Sequence, residues 1–442
     1  MTAPFCIGKR PDETRSRAGF AADVAALRPK IAGPSRVCNL LEDRYRFMVG
    51  LAAAVLNGQR MILPSAKAPG AIRLALGEPE DVCLLGSPGV PGLAERVLNS
   101  VPDGSEAGAE DISDALAESS GRIEVYTSGS TGAPVCHPKD WVSLAGGSAL
   151  AEMLYGLAGL PDGSAILGTT PHQHMFGLEA AILAGLAHGR PLYRGTVFYP
   201  EDLSLAARTC TEQGMAGLAL VTSPAHLRYL EPVIHETPSV RMILSATAPM
   251  PLALAERLEA RGGLPVFEIY GSTETGSLAW RRTVERPEWR QMDGFRLDQT
   301  LEGTIASAPH LPEPVLLGDL VEVAADGRFL LLGRLGDMIH VAGKRTSLGA
   351  LNAILVEAPG LADGVVLRAR TGGDDRLRIL AVRDRASNLS DDEIRAALRR
   401  HMQAHVDPVF IPRRIDFVSS LPRSATGKIT DQAAAHLSAE LR

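Results

Sequence analysis

Four hydroxyls and two glycines crowd into Thr127-Ser128-Gly129-Ser130-Thr131-Gly132, directly behind the short β-prone run Ile123–Tyr126. Small residues let backbone amides and hydroxyls converge on one anion, so the chemistry suggested is phosphate binding. The P-loop pattern GxxxxGK[ST] is not satisfied here, nor at Gly427-Lys428, where Ile429 stands in place of the hydroxyl. Read alone, the segment is equally a Ser/Gly surface loop. A second polar glycine segment, Tyr270-Gly271-Ser272-Thr273-Glu274-Thr275-Gly276, follows the apolar run Pro265–Tyr270. Both then sit at strand ends, where α/β sheets bind ligands. Downstream come Gly318-Asp319, Gly333-Arg334-Leu335-Gly336-Asp337, Gly343-Lys344-Arg345, and Leu421-Pro422-Arg423-Ser424-Ala425-Thr426-Gly427-Lys428-Ile429.

The elements that must position these residues read as α/β. Strand-length apolar runs (Ala165–Gly168, Gly217–Val221, Met242–Ser245, Pro265–Tyr270) alternate with helix-length amphipathic stretches (Leu178–Gly189, Glu201–Gly214, Pro251–Arg261, Ser390–His405), which predicts helices packed on a mainly parallel sheet. Ser390 with Glu393 forms a capping box. Val101–Glu110 is a turn-rich linker. Near residue 314 the texture changes to short strands, Val315–Leu317, Leu320–Val323 and Phe329–Leu332, with a turn at Asp326-Gly327, the pattern of a small antiparallel sheet. The 442 residues imply two or three domains at roughly 150 residues each. We place the boundary at the glycine turn, giving an N-terminal domain 1–335 and a small α+β C-terminal domain 336–442.

Composition narrows the function class. With 45% hydrophobic and 22% charged residues the chain is globular, and a net charge of -6 gives no footprint for nucleic acid. Lys9, Arg10, Arg15 and Arg17 precede no apolar stretch, and Phe47–Leu56 is too short to span a bilayer, so a cytoplasmic protein without a membrane span is expected. Five scattered cysteines without a CxxC pair read as reduced thiols.

The order and spacing of the glycine motifs resemble the adenylate-forming (AMP-binding) superfamily over residues 120–430: acyl-CoA synthetases, aryl-CoA ligases, peptide-synthetase adenylation domains and luciferases. The resemblance implies an AMP-forming acid–thiol ligase that joins a small carboxylic acid to ATP, releases pyrophosphate, and passes the acyl group to a thiol. By resemblance, Thr127, Ser128, Gly129, Ser130, Thr131 and Gly132 hold the β- and γ-phosphates and Thr273 the α-phosphate. Glu274 ligates Mg²⁺. Asp319 and Arg334 meet the ribose, Tyr270 belongs to the nucleotide site, and Lys428 bridges carboxylate and phosphate. Pro171-His172-Gln173-His174-Met175-Phe176-Gly177 matches the segment lining the acyl pocket, with His174 as the wall toward the thiol tunnel. Met175, Ser245, Thr247, Ala248 and Gly271 also face the acyl group, Thr247 standing where glycine is common. His172 and His174 can alternatively be read as a metal pair, but no third ligand presents itself.

Three departures from the family pattern stand out. Its phosphate loop continues Pro-Lys, whereas here Pro134 is followed by Val135-Cys136-His137-Pro138 and lysine comes only at Lys139, so a direct contact to pyrophosphate is in doubt. The hinge position holds Gly336 in place of Asp or Lys. The chain is shorter than a typical member ahead of Tyr126. The combination of displaced lysine, His-Met-Phe-Gly-Leu-Glu and Ser-Ala-Thr-Ala-Pro is similar to small bacterial ligases of aryl polyene and xanthomonadin-type pigment pathways, which implies an aromatic acid and the phosphopantetheine thiol of an acyl carrier protein as acceptor. Arg368, Arg370, Arg376, Arg378, Arg395, Arg399, Arg400, Arg413 and Arg414 could receive that acidic partner, and a solvated basic face with free CoA as acceptor is the alternative. A serine hydrolase lacks its GxSxG elbow. A catalytically inactive nucleotide-binding regulator is disfavoured because Glu274, Asp319, Arg334 and Lys428 are all retained.

Lys428 is the cation assigned to adenylation, so Lys428→Ala should lose at least ~3 kcal/mol of transition-state stabilisation while still transferring supplied acyl-adenylate to thiol. Pyrophosphate exchange at near wild-type rate would remove the assignment.

Overall fold

The computed structural model describes residues 4–77, 80–86, 96–107, 109–128, 134–260, 263–334, 337–341, 344–371, 374–384 and 387–422. Gly129, Ser130, Thr131 and Gly132, the expected boundary and hinge at 335–336, and Lys428 lie outside them. The chain divides into two compact units: Met1–Thr247 with Leu258–Arg282 and Pro309–Pro312, and Ala248–Arg257 with Thr283–Ala308 and Glu313–Arg442.

In the first unit, runs buried on both faces become parallel strands. Pro4–Ile7, Leu192–Tyr193, Ala165–Gly168, Leu218–Thr222, Val240–Ser245 and Val266–Ser272 lie side by side in that order, all parallel. Gly276–Arg281 pairs antiparallel with Val266–Ser272. A six-stranded sheet runs Arg96–Leu98, Val82–Leu85, Arg36–Asn39, Arg60–Leu63, Arg122–Ser128, Pro134–Asp140, parallel except for the last pair. The alternating pattern thus yields the expected α/β fold. Two expectations shift. The strand begun at Pro265 runs on to Ser272 because an antiparallel partner extends its ladder. The helix expected over Leu178–Gly189 contains a π-helical stretch, Leu178–Leu183, and ends at Gly189, whose φ of 73° needs glycine.

The second unit holds short antiparallel sheets: Arg296–Gln299, Thr304–Ser307 and Val315–Leu316; the hairpin Asp319–Val323/Phe329–Arg334; and the hairpin Met338–Val341/Lys344–Ser347. Leu361–Thr371, Asp374–Arg383 and Arg414–Val418 form a further sheet, packed with helices Leu348–Leu355 and Asp391–His405 around Ile339, Leu351, Leu355, Ile379, Leu398 and Met402. The capping box at Ser390 forms as the sequence predicts. Cys6, Cys38, Cys83 and Cys210 are buried free thiols, and Cys136 is exposed. Among the described residues no helix is long and apolar enough to cross a membrane.

One buried cation organises the strand ends. Arg44 opens the almost wholly buried helix Arg44–Leu56 and is itself 2% exposed. Its guanidinium donates to the carbonyls of Gly195 (2.6 Å), Gly168 (2.8 Å) and Thr170 (3.2 Å), fixing the chain where it leaves the Ala165–Gly168 strand toward Pro171–Gly177. Burial lowers its pKa to about 10, so it remains charged at neutral pH. Arg44→Met keeps the stem but strands three carbonyls, and should cost about 2–4 kcal/mol in chemical denaturation. An unchanged midpoint would show that those carbonyls find other donors.

Candidate active site

The first glycine segment joins two antiparallel strands. Register pairs Thr127 with Val135 and Ser128 with Pro134, so Gly129–Ala133 connects the strand ends. The unusual Val135–Lys139 stretch is therefore a strand, and its period of two separates exposed Cys136 and Pro138 from half-buried His137 and buried Lys139.

The second segment is the tip of the Val266–Ser272/Gly276–Arg281 hairpin, where Ser272 pairs with Gly276. Ser272 and Thr275 tie the turn through reciprocal backbone-to-hydroxyl bonds, Ser272 N to Thr275 Oγ1 (3.1 Å) and Thr275 N to Ser272 Oγ (3.2 Å). Gly276 has φ 69°, and a Cβ on Gly271 would strike the Gly276 carbonyl. Thr273 and Glu274 occupy the tip, Glu274 with its side chain 48% exposed. Burial raises the Glu274 pKa, but hydrogen bonds from Ser272 and its own backbone, together with the charges of His137 and Lys139, outweigh it, and the net shift is downward.

The two hairpins meet through His137 and Lys139. Lys139 Nζ donates to the Glu274 carbonyl oxygen. His137 Nδ1 lies 3.7 Å from Glu274 Oε1, while its Nε2 is 2.9 Å from Thr127 Oγ1. Burial lowers the pKa of both His137 and Lys139. Beneath the tip, fully buried Glu179 accepts from Ser277 N (2.8 Å) and Ser277 Oγ (2.7 Å). A Cβ on Gly147 or Gly276 would collide with Glu179 Oε1, so both glycines make room for this carboxyl. Burial pushes the Glu179 pKa up to about 7.

Further along the parallel sheet, hydroxyls line neighbouring strand ends. Thr169 Oγ1 is 2.8 Å from Thr222 Oγ1, and Thr222 is in register with Ser245. Ser245 Oγ, Thr170 Oγ1 and Gln173 Nε2 are buried with no hydrogen-bond partner among the described residues. His226 Nδ1 sits 3.1 Å from Ser223 Oγ and 3.2 Å from Thr169 Oγ1, its pKa lowered by burial. His174 is half-buried and opens the turn Met175–Gly177, with Met175 buried. Its neighbour His172 points elsewhere: its Nε2 bonds the Leu41 carbonyl (2.8 Å), its ring packs on Phe47, and burial holds its pKa at about 3, marking a core histidine. Thr247 has φ 78°, a left-handed conformation rare for a β-branched residue.

In the second unit Asp319 and Arg334 are cross-strand partners, with Arg334 Nε 3.7 Å from Asp319 Oδ1. The hairpin thus joins two expected ribose residues from separate motifs. Ala248, counted with that unit, is exposed. Arg378, expected on a docking face, is instead buried against Asp416, because its strand is central in its sheet. Sequence reasoning missed His137, Glu179 and His226. The cue for His226 was its place three residues after the helix-capping Ser223, and Glu179 closed the His-Met-Phe-Gly-Leu-Glu run without being given a role.

Residues 107–298 match the family described as AMP-binding enzyme. A 4-coumarate–CoA ligase of Rhodobacter capsulatus is 31% identical over 310 residues, covering 69% of this chain and 74% of that protein. This chain belongs to the AMP-binding enzyme family. This chain is an AMP-forming acid–thiol ligase. The fold agrees: ATP-bound MatB from Rhodopseudomonas palustris superposes with a TM-score of 0.78 at 18% identity, over 99% of this chain and 97% of that one. The o-succinylbenzoate CoA synthetase MenE from Bacillus subtilis, solved with ATP and magnesium ion, gives 0.76 at 18% identity, over 98% and 97%.

Glu179 makes the ligase's stability depend on pH. Below about 4.5 the carboxyl is protonated folded or unfolded; between about 4.5 and 7 only the unfolded chain ionises, so stability falls as pH rises. Glu179→Gln stays neutral throughout, and should gain on wild type by on the order of 3 kcal/mol between pH 4.5 and 8. Denaturation curves showing a constant difference across that range would contradict the burial argument.

Proposed function

We propose that this ligase activates a hydroxylated aromatic acid with ATP and transfers the acyl group to a phosphopantetheine thiol. The observation that carries the substrate reading is the Thr169–Thr222–Ser245 row of hydroxyls, with His226 beside it, at the carboxyl ends of parallel strands. Within this row Ser245 Oγ is the hydroxyl without a partner among the described residues, and it suits an acid bearing a polar substituent because a buried unpaired hydroxyl is costly until a ligand satisfies it. The name of the 4-coumarate relative points the same way.

Carboxylate attack on the α-phosphate brings anion to anion, so donors must be aimed at the oxygens where charge develops. Thr127 and Thr273 donate hydroxyls to phosphate oxygens. Asp319 accepts from the ribose hydroxyls, with Arg334 as its neighbour, and Lys428 serves the reacting carboxylate and phosphate. Glu274, half-exposed and held ionised, is a hard oxygen donor that fits Mg²⁺, which when bound neutralises phosphate charge. Ser245, Thr247, His174 and Met175 flank the acyl group.

An acyl carrier protein is the acceptor we favour, docked on exposed Arg399, Arg400 and Arg413. Free CoA is the second reading, favoured by the relatives named as CoA ligases. Pyrophosphate exchange across a panel of acids should rank hydroxybenzoates and hydroxycinnamates above fatty acids of eight or more carbons. The reverse order would reject the substrate reading. With the preferred acid, carrier loading should exceed CoA thioester formation and weaken markedly from low to physiological salt. Equal use of both acceptors without salt dependence would reject the carrier.

A further inference from the structure

The Val135–Lys139 stretch departs from the family pattern, and both of its inward-facing side chains reach the same residue. Lys139 Nζ bonds the Glu274 carbonyl, and His137 faces the Glu274 carboxylate. The opposite edge of the His137 ring meets the Thr127 hydroxyl at 2.9 Å. We infer that His137 and Lys139 are positioning residues that clasp the Glu274 turn to the phosphate-loop strand and set the direction of the Glu274 carboxylate for the nucleotide. The inference rests on the reading of Glu274 as a nucleotide-site carboxylate.

The two ring nitrogens face different partners: Nδ1 lies toward the Glu274 carboxylate, which can only accept, and Nε2 lies within hydrogen-bond distance of the Thr127 hydroxyl, which can donate or accept. Lys139 adds a donor to the backbone of the same residue, so the tip is held at both carbonyl and carboxylate. A lysine directly after Pro134 would stand at the loop itself. Placed five residues on, it is spent on the turn.

Two nearly isosteric replacements separate the two edges of the ring. Asparagine places its amide near the Nδ1 position and retains a donor toward Glu274, whereas glutamine places it near Nε2 and retains only the Thr127 side. ATP binding by the full-length protein is measured calorimetrically without acid, over a range of Mg²⁺ concentrations, with thermal unfolding to confirm folding. His137→Asn should bind ATP within about threefold of wild type. His137→Gln should weaken binding about tenfold and raise the Mg²⁺ concentration needed for half-maximal binding. Lys139→Met should shift both quantities the same way. Wild-type behaviour of His137→Gln, or the reverse ranking of the two histidine variants, would overturn the clasp. Glu274→Gln separates the two levels: if it is impaired while His137→Gln is normal, only the clasp fails. Normal ATP binding by Glu274→Gln would remove the reading of Glu274 and the clasp with it.

Discussion

The Glu274 turn of the first unit rests on one buried carboxyl. Glu179 has no solvent and takes both the amide and hydroxyl of Ser277, immediately beyond the Glu274 turn. That arrangement needs two glycines, Gly147 on the Trp141–Leu157 helix and Gly276 at the hairpin, because any side chain there would occupy the same space. A carboxyl so buried is tolerated near neutral pH because it keeps its proton more readily, and Lys139 opposes that shift. The tip carrying Thr273 and Glu274 is thereby anchored from inside the protein, with Glu274 exposed on its outer side.

The parallel sheet sets a second constraint. Strands buried on both faces cannot offer polar groups along their length, so chemistry collects where they end. Arg44 gathers the carbonyls at one such end, and the hydroxyls of Thr169, Thr222 and Ser245 follow across adjacent strands. The parallel register converts positions far apart in sequence into a continuous polar edge. His172 shows the opposite outcome: one residue sits in the core, and two residues on His174 begins a helical turn.

Much of this was legible from sequence, and the exceptions have physical causes. Strand runs such as Ala165–Gly168 and the Ser390 capping box are local signals and appear where expected. The cross-strand pairing of Asp319 with Arg334 was not read from sequence, where each was assigned to the ribose only by resemblance, because it arises from hairpin register. His137 was invisible because its role arises from a hairpin register and from a second hairpin well over a hundred residues away. Glu179 lay inside an apolar helical pattern, where a single acid reads as a surface residue. Arg378 was misread because a cationic tally says nothing of which face of a strand each side chain takes.

The displaced lysine now has a physical rationale. A lysine beside a phosphate loop is a flexible point charge that neutralises anion directly. Lys139 is buried, bonded to a carbonyl, and held near Glu179 and Glu274, so its charge is largely answered by the protein. Its contribution to the turn is therefore geometric, and on the proposed reading of the site the triphosphate would be met by other groups. A fixed turn costs less ordering entropy when nucleotide arrives than one that must be gathered by the ligand. In the proposed clasp a cation at the loop is exchanged for rigidity at the neighbouring turn, with the His137 ring set between Thr127 and the Glu274 carboxylate whose direction it would hold for the nucleotide.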